Sequence, residues 1–260
     1  MKDDYQLFTE KVYAKFRIDL QQYKEAQMKR RLTSLRDKRG YHDFASYFEA
    51  INNERALLNE FIDRITINVS EFYRNPKRWE VLRDIVIPTI KSNNNQMVIW
   101  SAACSTGEEP YSISILLKEY FPEINAKILA TDIDEKVLEK ARQGIYNEQA
   151  LKELPSDLKQ KYFKQNGITY EVDSSIKRQI NFKKHNLLED NYPEQVDLII
   201  CRNVLIYFTD TAKDKIYQNF SESLTSNGVL FVGSTEQIFS PNKYGLELLD
   251  TFFYQKLKQP

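Results

Sequence analysis

Over the first 75 residues, apolar positions recur every three or four places: Phe8, Val12 and Phe16, then Phe44, Tyr47, Phe48 and Ile51, then Leu57, Leu58, Phe61, Ile62 and Ile65. That spacing gives each of several helices one apolar stripe, and nothing in the region alternates as a strand would. Gly40 marks a break between two of these helices. Another stripe, Met28, Leu32 and Leu35, is flanked by Lys29 and Arg36 on one side and by Arg31 and Lys38 on the other. From about Asn75 the pattern becomes strand, loop, helix, repeated. The strands are MVIWSAA, KILATDI, INFKKHN, VDLIICRN, GVLFVGS and the terminal TFFYQKL. Most are nearly unbroken apolar runs, as strands covered on both faces must be. PYSISILLKEYF, DEKVLEKARQGIY and TDTAKDKIYQNFSESL fall between them as helices. Such alternation predicts a doubly wound α/β sheet with right-handed crossovers. Between Tyr146 and Ile180 the chain exceeds one crossover, and GITYEVDSSIKRQINF reads as a small antiparallel hairpin. The expected domains are therefore residues 1–75, helical and ending in a linker, and 76–260, α/β with a β insert at about 163–181.

Composition narrows the classes of function. A chain of 260 residues with 42% hydrophobic and 28% charged positions can build one large or two small cores. Formal net charge is zero, so nucleic acid or a membrane surface would have to be met by a local patch. No run reaches the ~20 apolar residues that span a bilayer, and no leader is expected. Cys104 and Cys201 lie far apart in apolar runs and read as buried, reduced thiols of a cytoplasmic protein. Neither His42 nor His185 has a ligand cluster around it, so no metal is expected.

The chemistry concentrates at strand ends, where ligands of such sheets bind. WSAACSTGEEPYSISILL runs from strand through a tight loop into a helix, yet matches neither a P-loop nor the dinucleotide fingerprint. Ser101, Ala102 and Ala103 let a ligand approach the backbone, and Gly107 permits the turn. Glu108 and Glu109 follow where a phosphate site would be positive. They suit a helix dipole ahead of Pro110 at the first helical position, or a cationic ligand group such as an α-ammonium. The next strand ends in TDID, where Asp132 is placed to hold a ribose and Asp134 to cap the following helix. An adenosine without a pyrophosphate, bearing a group that needs a carboxylate, describes S-adenosylmethionine. Arg202 and Asn203 end a buried run, and Tyr207 follows Asn203 by one turn if the chain coils there. TINVSEFYRNP joins the two regions and supplies Asn68, Ser70 and Arg74.

NVSEFYR, SAACSTGEEPYS, ATDID, HNLL and CRNVLIYF together resemble the CheR-type chemotaxis receptor methyltransferases over nearly the whole chain. The resemblance implies a Rossmann-like class I S-adenosylmethionine-dependent sheet, an N-terminal all-helical domain and a small antiparallel β insert. It implies methyl transfer to glutamate side chains of chemoreceptors, leaving S-adenosylhomocysteine and using no metal. By motif, Asn68, Ser70 and Arg74 would contact the cofactor from the linker, Glu109 its amino end and Asp132 its ribose. Asn186, Leu187, Asn203 and Val204 would surround the adenine, and Arg74, Arg202 and Tyr207 would line the place where the methyl leaves.

The partners so implied are the cytoplasmic helical domains of methyl-accepting chemotaxis proteins, met by a monomer without membrane insertion. The basic flanks of the Met28–Leu32–Leu35 helix are the candidate docking surface, with Arg31 and Arg36 the expected contacts. No aromatic base-stacking platform accompanies them, so RNA is not the expected partner. In some family members the β insert grips a receptor tail through a glycine-rich turn. Only Gly167 stands near the hairpin here, and docking through the helical domain alone is an alternative. Rival functions are a nicotinamide-dependent reductase, a non-enzymatic receptor adaptor, and a small-molecule or RNA methyltransferase.

Overall fold

The computed structural model describes residues 3–66, 70–91 and 95–257. The chain divides into two compact units, Met1–Asn68 with Leu205–Ile216, and Val69–Val204 with Tyr217–Pro260.

The first unit is helical. It contains α1 (Asp4–Phe16), α2 (Glu25–Lys38), α3 (Phe44–Asn53) and α4 (Arg55–Ile65). Asp3 caps α1 in a reciprocal box with Gln6, and Asp43 caps α3 by accepting from the Ser46 N–H at 2.7 Å. Gly40, at φ 80°, turns the chain between α2 and α3 as the break in periodicity predicts. The stripes meet in an aromatic core: the Phe8 ring lies 5.0 Å from Phe44, and 6.0 Å from both Tyr47 and Phe61. The segment from Leu205 joins this unit. Lys24 N–H donates to Tyr207 O at 2.9 Å, Thr209 N–H donates to Gln22 O at 2.7 Å, and Tyr23 and Phe208 stack at 4.7 Å.

The second unit opens with α5 (Pro76–Val81), a π-helical turn (Leu82–Val86) and α6 (Ile87–Ile90). Then follow β1 (Gln96–Ala102), α7 (Glu108–Tyr120), β2 (Asn125–Asp132), α8 (Glu135–Gln143) and β3 (Ile145–Asn147). After these come α9 (Ser156–Tyr162), β4 (Phe163–Asn166), β5 (Thr169–Val172), α10 (Ser174–Lys177), β6 (Ile180–Lys184) and β7 (Val196–Cys201). A helix that begins in the first unit, α11 (Asp210–Ser223), leads into β8 (Leu224–Val232), β9 (Leu246–Asp250) and β10 (Phe253–Lys256). The main sheet has the order β6-β2-β1-β7-β8-β10-β9. Its first five members are parallel, while β10 runs against both β8 and β9. From β1 the chain builds outward through β2 to β6, then returns to add β7 on the opposite side of β1. The reversal opens a crevice at the carboxyl ends of β1 and β7.

All six expected strands are in this sheet, and their apolar runs fill its core: Ile99, Trp100, Leu198, Ile199, Ile200, Leu230 and Phe231 are fully buried. The small sheet differs in detail from the expected hairpin. It has the order β3-β5-β4, with β4 and β5 joined by a two-residue loop at Gly167 and Ile168. Ile180–Lys184 instead pairs with β2 in the main sheet. β9 has no apolar run, because only Leu246 of its five residues is buried, and periodicity does not find it.

Phe8→Ala should lower the stability of the helical unit by about 3–5 kcal/mol, since a buried aromatic hub would become a cavity. Urea unfolding followed by far-UV circular dichroism, with a midpoint unmoved from wild type, would refute that estimate.

Candidate active site

At the end of β1 the backbone bends sharply. Ala103 and Ser105 take left-handed φ values of 58° and 49°, and Gly107 lies at 94°. The Cys104 N–H donates to Thr131 O at 2.8 Å, so the loop is anchored to the end of β2. Gly107 is required twice over. Its φ strains any side chain, and a Cβ there would lie 2.9 Å from Ala141 Cβ on α8. As the cap residue of α7 it makes Glu108 the first helical residue and puts Pro110 third, not first as expected. Proline remains harmless in that turn, where the N–H has no intrahelical acceptor.

The two acids of this turn have separate surroundings. Glu108 is buried and its carboxylate accepts from Thr106 Oγ1 at 2.7 and 2.9 Å, with the Ser70 hydroxyl as a further donor. Ser70, a linker residue, therefore acts on the helix start. Glu109 Oε1 accepts from Ser101 Oγ at 2.8 Å, while its Oε2 lies 3.8 Å from Arg202 Nη1. Burial raises the pKa of both carboxyls above the usual range, and for Glu109 the Arg202 guanidinium opposes that rise. The arginine sits beyond hydrogen-bond length, so Oε2 keeps acceptor capacity for a donor such as an ammonium.

Asp132 ends β2 and is almost wholly buried. Its carboxylate accepts the Ser105 N–H at 2.9 Å and the Asp134 N–H at 3.0 Å, with Ile133 N–H contributing as well. Burial, the largest cause, raises its pKa to about 6 despite these donors. Asp134 caps α8, accepting from Lys136 N–H at 2.9 Å, as its position predicts. The end of β6 closes alongside: His185 N–H donates to Asp132 O at 2.9 Å. Asn186 Oδ1 accepts from Leu188 N–H at 3.0 Å, and Leu187 O accepts from the Tyr192 hydroxyl at 2.8 Å. Asn186 thus shapes its own turn, and the Leu187 side chain is buried beside it.

The linker reaches this edge through Arg202. That side chain is only 5% exposed, and its Nη2 donates to Arg74 O at 2.9 Å and to Asn75 Oδ1 at 3.0 Å. Its guanidinium lies 4.7 Å from the Phe231 ring centre. Arg74 O also accepts from Trp79 Nε1 at 3.0 Å, and Tyr73 N–H donates to Ser112 Oγ of α7 at 3.1 Å. Arg74, Glu109, Asp132, Asn186, Leu187, Arg202, Asn203 and Val204 accordingly lie along one carboxyl edge of the second unit. Asn68 lies outside the described residues. Tyr207 belongs to the first unit, in a single 3-10 turn (Leu205–Tyr207), with its ring 5.0 Å from the Arg31 guanidinium. Asn203 has a φ of 61°, so it and Tyr207 do not share a right-handed helical turn.

Sequence reasoning missed Glu236. Both its oxygens accept backbone N–H groups, from Asn203 at 2.6 Å, Val204 at 2.7 Å and Gly233 at 2.8 Å. Its only signal is an acid shortly after a strand end, in GSTEQIF. Among the described residues, no three His, Cys, Asp or Glu side chains are grouped to hold a metal.

These features suit an adenosyl donor carrying an ammonium. Carboxylates stand past the ends of two neighbouring strands, Glu109 in the first turn of α7 after β1 and Asp132 at the end of β2, each with acceptor capacity remaining. The class they define is the α/β methyltransferases that take S-adenosylmethionine. Comparison with protein families bears this out. The profile of the CheR methyltransferase SAM-binding domain matches residues 68–251, and that of the CheR all-alpha domain matches residues 3–66. The chemotaxis protein methyltransferases of Listeria innocua and Listeria monocytogenes are 43% and 42% identical over 257 residues, 98% of this chain and of each of those proteins. That of Borreliella burgdorferi is 36% identical, covering 91% of this chain and 89% of its own. The chain belongs to the CheR methyltransferase family.

The raised pKa of Asp132 has two consequences of opposite sign. Because its folded value exceeds that of a free carboxyl, its contribution to stability is greatest at low pH and declines as pH rises through about 6. Hydroxyl donors favour the ionised form, so affinity for S-adenosylhomocysteine should fall as pH is lowered through about 6. Calorimetry across that range tests this, and Asp132→Asn should bind weakly and lose much of the step. Gly107→Ala should cost at least about 1 kcal/mol of stability from backbone strain alone, measured by thermal unfolding.

Proposed function

We propose that this S-adenosylmethionine-dependent chemotaxis protein methyltransferase esterifies glutamate side chains on the cytoplasmic helical domains of chemoreceptors, and does so in the cytoplasm. The observation that carries the reading is the Glu109 carboxylate, 14% exposed and 3.8 Å from Arg202 Nη1, with the buried Asp132 carboxylate at the end of the strand next to β1. When bound, the donor would supply a sulfonium methyl, whose carbon a carboxylate oxygen can attack in line, the C–O bond forming as the C–S bond breaks and S-adenosylhomocysteine leaves as the neutral thioether. A glutamate has a reference pKa near ~4.3 and is already a nucleophilic anion at neutral pH. No general base is therefore needed. Orientation and exclusion of water supply most of the rate.

Within that reading, Glu109 takes the donor's ammonium and Asp132 its ribose. Asn186, Leu187, Asn203 and Val204 enclose the adenine, while Ser70 serves the linker side, partly through Glu108, and Asn68 is kept as a cofactor contact on its motif alone. Arg202 positions: its donors hold the Arg74 carbonyl and Asn75, and its charge offsets Glu109. Arg74 has a pinned backbone and a half-buried side chain, which suits it to steer the substrate carboxylate without clamping it. The proposed part of Tyr207 is a hydrogen bond to the accepting carboxyl group.

The receptor surface is proposed on α2, but on residues other than those first expected. Arg31 lies over Tyr207, and Arg36 is 2.7 Å from Asp37 and lies over Phe44 at 4.6 Å. Both serve the fold of their own unit. Arg30 and Lys38 of the same helix are exposed and present charge to an acidic helical partner. Among the described residues, no helix is long and apolar enough to cross a membrane.

Labelled methyl transferred to receptor and released by base as methanol is the direct test, and label that is stable to base would refute carboxyl esterification. Arg74→Ala should lower kcat by more than about tenfold, the scale of losing one orienting contact. Unchanged kinetics would remove Arg74 from this role. Reversing both Arg30 and Lys38 to Glu should raise the KM for receptor while leaving the affinity for S-adenosylhomocysteine within about twofold, since surface charge acts chiefly on encounter and docking.

A further inference from the structure

Resting on the adenosyl-donor reading of the crevice, we infer that Glu236 is a positioning residue of that site. It holds the turn at Asn203 and Val204 in the shape that receives the adenine end of the donor, without touching the donor itself. The turn needs such a holder. Asn203 sits at φ 61°, a region that a non-glycine residue occupies at a cost unless its surroundings impose it. Asparagine enters that region more readily than other residues with a side chain, yet still at a cost that a fixed partner can offset.

The carboxylate of Glu236 is that partner. Its Oε2 accepts from Asn203 N–H at 2.6 Å and from Gly233 N–H at 2.8 Å, and its Oε1 accepts from Val204 N–H at 2.7 Å. Two of these donors follow β7 and the third follows β8, so one side chain ties the ends of adjacent parallel strands. Bonds to a carboxylate acceptor are about twice as strong as neutral ones, and Glu236 itself is almost wholly buried. Glu236 is itself held, with its N–H donating to Gly233 O at 3.0 Å and the Tyr217 hydroxyl 3.5 Å from its carbonyl. Gly233 belongs to the same device. A Cβ there would lie 2.5 Å from Glu236 Oε2 and 2.7 Å from Asn203 N, so only glycine lets the carboxylate reach both strand ends.

The amide of glutamine is nearly isosteric with the carboxylate but replaces one acceptor with a donor. Whichever way it is turned, at least one backbone N–H then faces an N–H. Glu236→Gln should weaken S-adenosylhomocysteine binding by about tenfold or more, the scale of one buried unpaired group. The KM for receptor, measured at saturating donor, should stay within about twofold, because uniform destabilisation would move both quantities whereas loss of the adenine-side turn moves one. Gly233→Ala should reproduce the same split by displacing the carboxylate. In the wild-type protein, hydrogen exchange needs no variant: the Asn203, Val204 and Gly233 amides should be protected before any ligand is added. Glutamine and alanine variants that bind S-adenosylhomocysteine as wild type does, or whose donor and receptor constants deteriorate together, would overturn the assignment. So would fast exchange at those amides until ligand is present. Wild-type protein with no affinity for S-adenosylhomocysteine would instead sink the reading of the crevice on which this rests.

Discussion

Burying charge at the edge of a sheet is tolerable only if every charge is answered, and the second unit is organised around that demand. Arg202 is the centre of it. Its guanidinium is out of solvent, stacked on Phe231, with Glu109 on one side and the Arg74 carbonyl and Asn75 amide on another. Burial draws its pKa down, and Glu109 and Glu236 hold it up. Taking away either the cation or Glu109 would strand a buried charge, a far larger penalty than the pair's net contribution. The linker, the start of α7 and the end of β7 therefore share one electrostatic fate.

The crevice also has a backbone cost. Tyr73, Asn75, Ala103, Ser105 and Asn203 all adopt left-handed φ values, and all lie along this carboxyl edge. Strain of this kind persists where surrounding structure over-determines it. Here the determinants are identifiable: Ser112 Oγ receives Tyr73 N–H, Asp132 receives Ser105 N–H, and Glu236 receives Asn203 N–H. Two of the three acceptors are carboxylates, so acidic groups lining the crevice also fold its walls. Asp132 does both tasks, which explains why a residue suited to a ribose is occupied by the loop's own N–H groups.

Helical periodicity located most of the first unit's core, because stripes at three and four residues must pack inward, although Phe16, Leu57, Leu58 and Ile62 are only half-buried and Tyr5, Ile18 and Leu20 join the core unannounced. Charge on such helices is less legible. Lys29, Arg31 and Arg36 look alike as basic flanks in the sequence, yet both arginines lie over aromatic rings while Lys29 stays at the surface, 2.8 Å from the exposed Asp3. A long basic side chain can lie along an apolar face or extend from it, and spacing alone does not distinguish the two.

By itself the sequence determined the alternation of strands and helices, the six main strands, and the motifs at their carboxyl ends, because apolar runs and turn residues act locally. It also separated Asp132 from Asp134, since a cap is defined by the helix that follows it. Tertiary structure decided what no local rule contains. The strand order brought β7 beside β1, making Glu109 and Arg202 neighbours although 92 residues separate them in sequence. The same order set Glu236 beneath the turn at Asn203, and the folded helical unit turned Arg31 and Arg36 inward. Contacts of that range depend on which strands pair and which faces meet, and those are properties of the packed chain rather than of any segment.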